Sequence, residues 1–190
     1  MDRLPDTIAS ERLTLRRWIP EDAPALCAAI EQNLEHLRPW MPWIVGEPKS
    51  IEARIALINQ WTAEWQRGGD IVIGVLLDGV IVGSTGLHRR RGPTVLEIGY
   101  WVDRDHTRKG IATELSSALT TAAFTVPGID RVEIHHDKAN EASGGIPRSL
   151  GFTRMEETAV AITSPGEVGL DCRWQVTREE WAHKLLSAAD

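Results

Sequence analysis

The chain has 190 residues, 42% of them hydrophobic and 25% charged, with a net charge of −6. That suits a single soluble globular domain, expected over residues 10–185, and leaves little room for a second. The acidic balance predicts no nucleic-acid footprint over the chain as a whole, and no run approaches the roughly 18 apolar residues of a membrane span. Cys27 and Cys172 lack metal-ligand spacing and are too few for a disulfide framework. A reduced, cytoplasmic setting without a bound metal is therefore expected. Met1 to Arg12 carries charge and Pro5 but no apolar run, unlike a signal peptide.

Glu11 to Trp18 alternates Leu13 and Leu15 with polar neighbours and predicts a strand. Pro20-Glu21-Asp22 opens a helix carrying Leu26, Ala29 and Ile30, because proline is tolerated and acids are favoured in a first turn. Leu37-Arg38-Pro39-Trp40-Met41-Pro42-Trp43 holds two of the eight tryptophans, and its prolines forbid a regular helix or central strand. Large aromatics on an irregular segment either cover the core or wall a substrate groove. Ser50 caps a second helix, with Ile51, Ile55, Ile58, Trp61 and Trp65 as its apolar face and Gly68-Gly69 as its stop. Ile71–Leu77, Asp78-Gly79 and Val80–Leu87 form a hairpin, since Asp-Gly supplies the positive φ of a tight turn. Arg89-Arg90-Arg91 before Gly92-Pro93 reads as a solvated turn or as a contact for an acidic or phosphate group. It leads into Val95–Val102, which completes a meander.

A helix over Lys109–Phe124 follows, ended by Pro127-Gly128, and then a strand at Arg131–His135. Pro147 makes any helix within Asn140–Leu150 short or irregular. Strands at Phe152–Ile162 and Val168–Val176, and a capping box at Thr177-Arg178-Glu179-Glu180, complete the chain. The order β-α-α-β-β-β-α-β-α-β-β-α predicts a mixed α/β sheet.

The segment richest in chemical signal is Thr107-Arg108-Lys109-Gly110-Ile111-Ala112-Thr113, where a loop becomes a helix. Free N–H groups and the dipole at a helix start favour an anion, and Gly110 permits close approach of the backbone. The GxxxxGK[ST] spacing of a Walker loop is absent. On residue types alone, a phosphate site and an ordinary helix start weigh equally.

Four ordered motifs decide between them: Glu97-Ile98-Gly99-Tyr100-Trp101-Val102, Lys109-Gly110-Ile111-Ala112-Thr113-Glu114, Asn140-Glu141-Ala142-Ser143 and Leu150-Gly151-Phe152. Together they resemble the GNAT acetyltransferases, and within them the RimJ/RimL branch that acetylates ribosomal-protein N-termini. The Pro/Trp segment resembles that branch too, and the similarity runs from about Ser10 to Leu185. The resemblance implies the acyl-CoA N-acyltransferase fold, a mixed, mostly antiparallel sheet flanked by helices, with acetyl-CoA as cosubstrate. The family's Q/R-x-x-G-x-G/A loop falls on Thr107 to Ala112 with Thr107 at its first position, and Arg108 is placed to compensate. Thr107, Arg108, Lys109, Gly110, Ile111, Ala112 and Thr113 are therefore expected to hold the pyrophosphate. Trp101 and Val102 are expected to pair with the pantetheine arm as an added strand. Asn140 would sit near the thiol end, or cap the following helix, or do both.

The chemistry sets further demands. A lysine-like ammonium, with a pKa of about 10.4, needs a base, whereas an N-terminal amine at about 8 needs little help. By resemblance, Ser143 is the general acid for the departing thiolate, and a local cap is the plainer reading. The branch's glutamate base falls on apolar Ile162. Glu97 is the substitute, or else it forms a salt bridge to an arginine of the turn. His88, ending the preceding strand, is expected diagonal to Glu97 on one face. Trp40, Trp43 and His88 are the candidate acceptor contacts. His135 and His136 lack the further ligands of a zinc site. Asp171 either lines the substrate end or faces solvent.

The leading expectation is transfer of acetyl to a protein or peptide α-amine. The alternatives are a small-molecule amine such as an antibiotic, amino acid or polyamine, in detoxification or self-resistance, and a non-catalytic acyl-CoA-binding module. No nucleic-acid or membrane partner is expected, and a homodimer is left open.

Overall fold

The Asp-Gly hairpin sets the frame of the sheet. In the computed structural model, which describes residues 4–187, β3 (Ile71–Leu77) turns through Asp78 (φ 50°) and Gly79 (φ 81°) into β4 (Val80–His88). The first three residues of the Met1–Arg12 segment lie outside the described residues. β4 pairs with β5 (Val95–Val102), and β2 (Leu13–Arg17) and the short β1 (Thr7–Ala9) extend the sheet on the β3 side. Beyond β5 come β6 (Arg131–Asp137), β9 (Leu170–Thr177) and β7 (Thr153–Arg154), with β8 (Thr158–Ala159) also on β9. Among the described residues, only the β5–β6 pair is parallel.

Helices cover both faces. α1 (Ala23–Gln32) and α3 (Ile51–Gln66) bury Leu26, Ile30 and Ile58 with Trp18, Ile44 and Trp101 on one face. A one-turn α2 (Leu34–Leu37) leads into the Pro/Trp segment, whose Pro42–Gly46 stretch is a 3-10 helix. α4 (Ile111–Ala123), α5 (Glu141–Ser149) and α6 (Arg178–Ser187) belong to the other side, where Leu115, Leu119, Phe152 and Trp181 join Ile98, Ile134 and Trp174. The capping expectations hold: Ser50 Oγ accepts the Ala53 N–H at 3.2 Å. Thr177 and Glu180 exchange bonds, Thr177 N–H to Glu180 at 2.7 Å and Glu180 N–H to Thr177 Oγ1 at 3.3 Å.

Several elements differ from the sequence reading, each for a local reason. β1 was not expected; it is three residues long and partly exposed, too short to show alternation. Phe152–Ile162 is not one strand but two two-residue strands, because after Phe152 its side chains are mostly exposed and offer no buried face. Ile51 is 45% exposed, while Arg54 on α3 is 2% exposed, held by Glu47 at 2.6 Å. Pro147 does not break α5. It removes the N–H that would reach the Ser143 carbonyl, and that oxygen instead faces the Tyr100 hydroxyl at 3.4 Å.

One clasp ties the sheet edge to α4. Glu114, in the first turn, accepts Ser10 Oγ at 2.6 Å, the Arg12 backbone N–H at 2.7 Å and Arg12 Nε at 2.8 Å. Burial raises the Glu114 carboxyl, but these hydrogen bonds and the Arg12 charge outweigh it, so its pKa lies below the ordinary value of 4.5. Its contribution to stability is therefore full above about pH 4.5 and is lost as pH falls through the lower folded value. Arg12 is partly exposed, which screens the pair. Glu114→Ala should cost about 2 kcal/mol in urea unfolding at pH 7, and the deficit should shrink on acidification below pH 4.5. A deficit independent of pH would show that packing, not charge, holds the clasp.

Candidate active site

The site begins where two strands part. β5 runs beside β6 only from Val95↔Arg131 to Ile98↔Ile134, yet stays paired with β4 as far as Gly83↔Val102. Gly99 to Val102 therefore present an edge that β6 does not cover. Trp101 points into the α1/α3 core, so its backbone is available while its side chain is buried. The opposite lip is the first turn of α5. Asn140 is its N-cap, with Oδ1 accepting the Ser143 N–H at 3.2 Å, so the capping role expected of it is present. Ser143 Oγ lies 3.1 Å from the hydroxyl of Tyr100, which reaches across from β5. Burial pushes the Tyr100 phenol up to about 12, against a smaller opposite effect of the Ser143 bond.

The loop before α4 is shaped for an anion. Arg108 (φ 59°) and Gly110 (φ 79°) are both left-handed, which curls the chain around Lys109. The backbone N–H groups of Arg108, Lys109, Gly110, Ile111, Ala112 and Thr113 have no hydrogen-bond partner among the described residues. Arg108 and Lys109 are exposed and pair with no carboxylate among those residues. Thr107 turns its hydroxyl back to the Arg104 carbonyl at 2.9 Å. Upstream, the loop is fixed by buried Asn33, which donates to Asp103 at 2.6 Å and accepts the Arg104 N–H at 2.8 Å.

A cleft of about 980 Å³ runs from Ser143, Asn140 and Tyr100 to Trp40, Trp43, His88 and Glu97. Trp40 and Trp43 line it while Leu37 and Ile44 of the same segment are buried, so the segment both covers the core and walls the groove. Across the cleft, the Gly166 N–H donates to the Pro39 carbonyl at 2.9 Å, so the β8–β9 loop and the Pro/Trp segment meet over it. Trp61, read from sequence as core, also lines the cleft.

Glu97 is buried and paired with Arg90 at 2.9 Å, with Arg91 at 3.9 Å, so the salt-bridge reading of its environment is realised. His88 is not diagonal to it but directly opposite, and its Nδ1 lies 2.7 Å from Asp70. The register is centred between Gly92 and Pro93, one residue further along than the reading centred on Arg91-Gly92 assumed. Ile162 is 62% exposed on the β8–β9 loop and is not among the cleft-lining residues.

Sequence reasoning missed Glu133. It is fully buried, sits beside Glu97 in the β5–β6 register, and is bound by Arg131 Nε at 2.8 Å. The signal was the alternation of Glu133 and His135 with Val132 and Ile134, which puts both polar residues on the Glu97 face. His135 is held at both ends, by Asp171 and Glu133 at 2.9 Å each, and Asp171 lines the cleft. His136 faces the other way, accepting the Trp174 N–H at 3.0 Å. The two neighbouring histidines thus serve opposite faces, and among the described residues no cluster is arranged to hold a metal ion.

Comparison with known proteins bears on the family and the fold. The model of the acetyltransferase (GNAT) domain matches residues 12–153. A Bacillus subtilis (strain 168) protein, provisionally named ribosomal N-acetyltransferase YdaF, is 32% identical over 145 residues, covering 75% of this chain and 79% of its own. Among solved structures, RimJ of Mycobacterium smegmatis, in complex with CoA-disulfide, superposes with a TM-score of 0.84 at 24% identity, covering 97% of this chain and 95% of that one. RimL, a ribosomal L7/L12 α-N-protein acetyltransferase in complex with coenzyme A, gives 0.82 at 22%, covering 90% and 97%.

The carboxylates around His135 make a measurable prediction. Burial lowers its pKa, but the bonds to Asp171 and Glu133 and the nearby charges of Asp171 and Glu97 outweigh it, leaving the value above 6.5. The stability gained from its protonated form is thus complete below about pH 6.5 and is lost as pH rises through the higher folded value. Heteronuclear NMR should find the His135 midpoint above 6.5, and Asp171→Asn should lower it. An unmoved midpoint in that variant would remove Asp171 as its partner.

Proposed function

Because the chain belongs to the GNAT acetyltransferase family and is an N-acetyltransferase, we propose that it transfers acetyl from acetyl-CoA to the α-amine of a protein or peptide. The observation that carries this reading is the continuity of the cleft. One cavity joins the uncovered edge of β5 and Ser143 to the tryptophan and carboxylate walls of the far side. At about 980 Å³ it is at the upper end for a small-molecule site, with room for a slender donor arm and an extended chain terminus. The names of YdaF and RimL add weight to a ribosomal-protein acceptor. The domain is taken as residues 10–185, its setting as cytoplasmic, and no nucleic acid or membrane takes part.

The residues suit acetyl-CoA. The unpartnered amides of Arg108 to Thr113, with the charges of Arg108 and Lys109, match a pyrophosphate. The edge at Trp101 and Val102 matches an amide-bearing arm laid alongside as a strand. Acetyl-CoA supplies an activated thioester. An N–H of the β5 edge is placed to stabilise charge on the acyl oxygen, and Ser143 donates toward the sulfur. Glu97, on the acceptor side, draws the proton from the amine through water, since Arg90 engages one of its oxygens.

Three substitutions divide these roles. Gly110→Glu puts a side chain and a negative charge among the amides at a left-handed position; calorimetry should show coenzyme A affinity falling at least tenfold. Trp43→Ala should raise the amine KM several-fold with acetyl-CoA affinity nearly intact. Equal losses of both with a lower Tm would make Trp43 a core cover only. Glu97→Gln should lower kcat/KM by about 10²–10⁴-fold, the loss shrinking as pH nears the pKa of the amine. A wild-type pH profile in that variant removes Glu97 as the base. Thiol release across N-terminal peptides and small amines tests the acceptor class, and preference for a small amine would overturn the peptide reading.

A further inference from the structure

The relation of Tyr100 to Ser143 is not accounted for by packing alone. A helical carbonyl normally accepts the N–H four residues on. For Ser143 that residue is Pro147, which has no N–H, so the Ser143 carbonyl is left open inside α5. Tyr100 answers it from another element: its hydroxyl lies 3.4 Å from the Ser143 carbonyl oxygen and 3.1 Å from Ser143 Oγ. Tyr100 stands on the stretch of β5 that β6 no longer accompanies, so the phenol spans the gap at the point where the cleft passes between the lips. The proline and the tyrosine, 47 positions apart in sequence, thereby act on one serine.

We infer that Tyr100 is the positioning residue for Ser143: it holds the serine hydroxyl so that its proton faces the departing sulfur. Two arrangements of the hydroxyls are available. In one, Tyr100 donates to the open carbonyl and Ser143 donates to Tyr100. In the other, Tyr100 donates to Ser143 Oγ, which frees the serine proton to point into the cleft. Negative charge growing on the sulfur favours the second, because a donor chain ending on a charge is strengthened along its length. The carbonyl left by Pro147 makes the change reversible, since it gives the phenol a resting partner. No net proton leaves either hydroxyl. The neutral amine brings two hydrogens: one stays as the amide N–H and the other passes through water to Glu97, while the C–N bond forms, the C–S bond breaks, and the sulfur leaves hydrogen-bonded to Ser143 and takes up one proton from water to become the thiol. A phenol at about 12 could not supply that proton cheaply to a thiolate, whose acid is near 8.5, so Tyr100 orients and does not titrate.

The inference rests on the reading of Ser143 as donor to the sulfur, and a double-mutant cycle separates the two. Tyr100 is the only tyrosine of the chain, so Tyr100→Phe removes the sole phenol and keeps its ring. Tyr100→Phe should lower kcat about tenfold with both KM values nearly unchanged, and Ser143→Ala should lower it at least as much. In the Ser143→Ala background, Tyr100→Phe should cost no more than about twofold further. Uniform 3-fluorotyrosine, which alters no other residue, keeps the hydroxyl but makes it a stronger donor, so it should change kcat less than Tyr100→Phe does and should leave the Ser143→Ala rate unmoved. A wild-type kcat in Ser143→Ala overturns the serine reading itself. Loss in Ser143→Ala with a wild-type kcat in Tyr100→Phe overturns the positioning role alone. Full, independent losses that multiply in the double variant also overturn it, since Tyr100 would then act apart from Ser143. Circular dichroism and Tm on each variant identify a folding defect, and if Tyr100→Phe is unstable the fluorotyrosine protein in the wild-type and Ser143→Ala backgrounds still decides, a rate change confined to the former supporting the coupling.

Discussion

The parting of β5 from β6 after Ile98 is the constraint on which the rest depends. A backbone edge inside a sheet is a row of unsatisfied donors and acceptors, and proteins normally pair or cover it. Here the cover is withheld on one side of Gly99 to Val102 while β4 keeps the stretch straight on the other. The gap is held open from both directions. Trp101 is locked into the α1/α3 core, and α5 is capped by Asn140 and packed by Ile146 and Pro147 at the far lip. The loop before α4 then lies at the end of β5, its position fixed by Asn33 and by the Glu114 clasp. The cleft and the loop before α4 adjoin because one strand pairing stops early.

Much of this was legible in the sequence, and the reasons differ by residue. The hairpin, the α3 cap and the α6 capping box follow from local chemistry that tertiary packing did not override. The loop before α4 was legible as a motif, and the structure shows Gly110 left-handed there with unpartnered amides around it. Register was harder. His88 faces Glu97 squarely, not diagonally, because register depends on turn geometry. Glu133 and Arg54 went unremarked because a buried charge is recognised by its partner, and the partners Arg131 and Glu47 are set by the fold. The exposed Ile162 shows the reverse case, an apolar residue where a base was sought that does not enter the cleft.

Pro147 illustrates how a local rule can be broken usefully. By propensity alone it argues against α5, yet the helix continues through it. The freed carbonyl is not wasted in the interior, since a side chain from β5 meets it. A helix with a proline and a strand with a tyrosine are each unremarkable, and only their juxtaposition carries information.

The carboxylate wall of the cleft has a consequence for how a catalytic cycle ends. Glu97 and Asp171 both border the cavity, and Asp137 and Glu167 stand nearby on its lining. Arg90 and Arg91 line the same wall and pair with Glu97 and Asp171, so a positively charged acceptor nitrogen would meet carboxylates that already have partners and would have to share them. After acylation the same nitrogen is a neutral amide with no charge for the wall to hold. The arginines would then hold their carboxylates undivided again, so the wall is never left with a bare charge when a product departs.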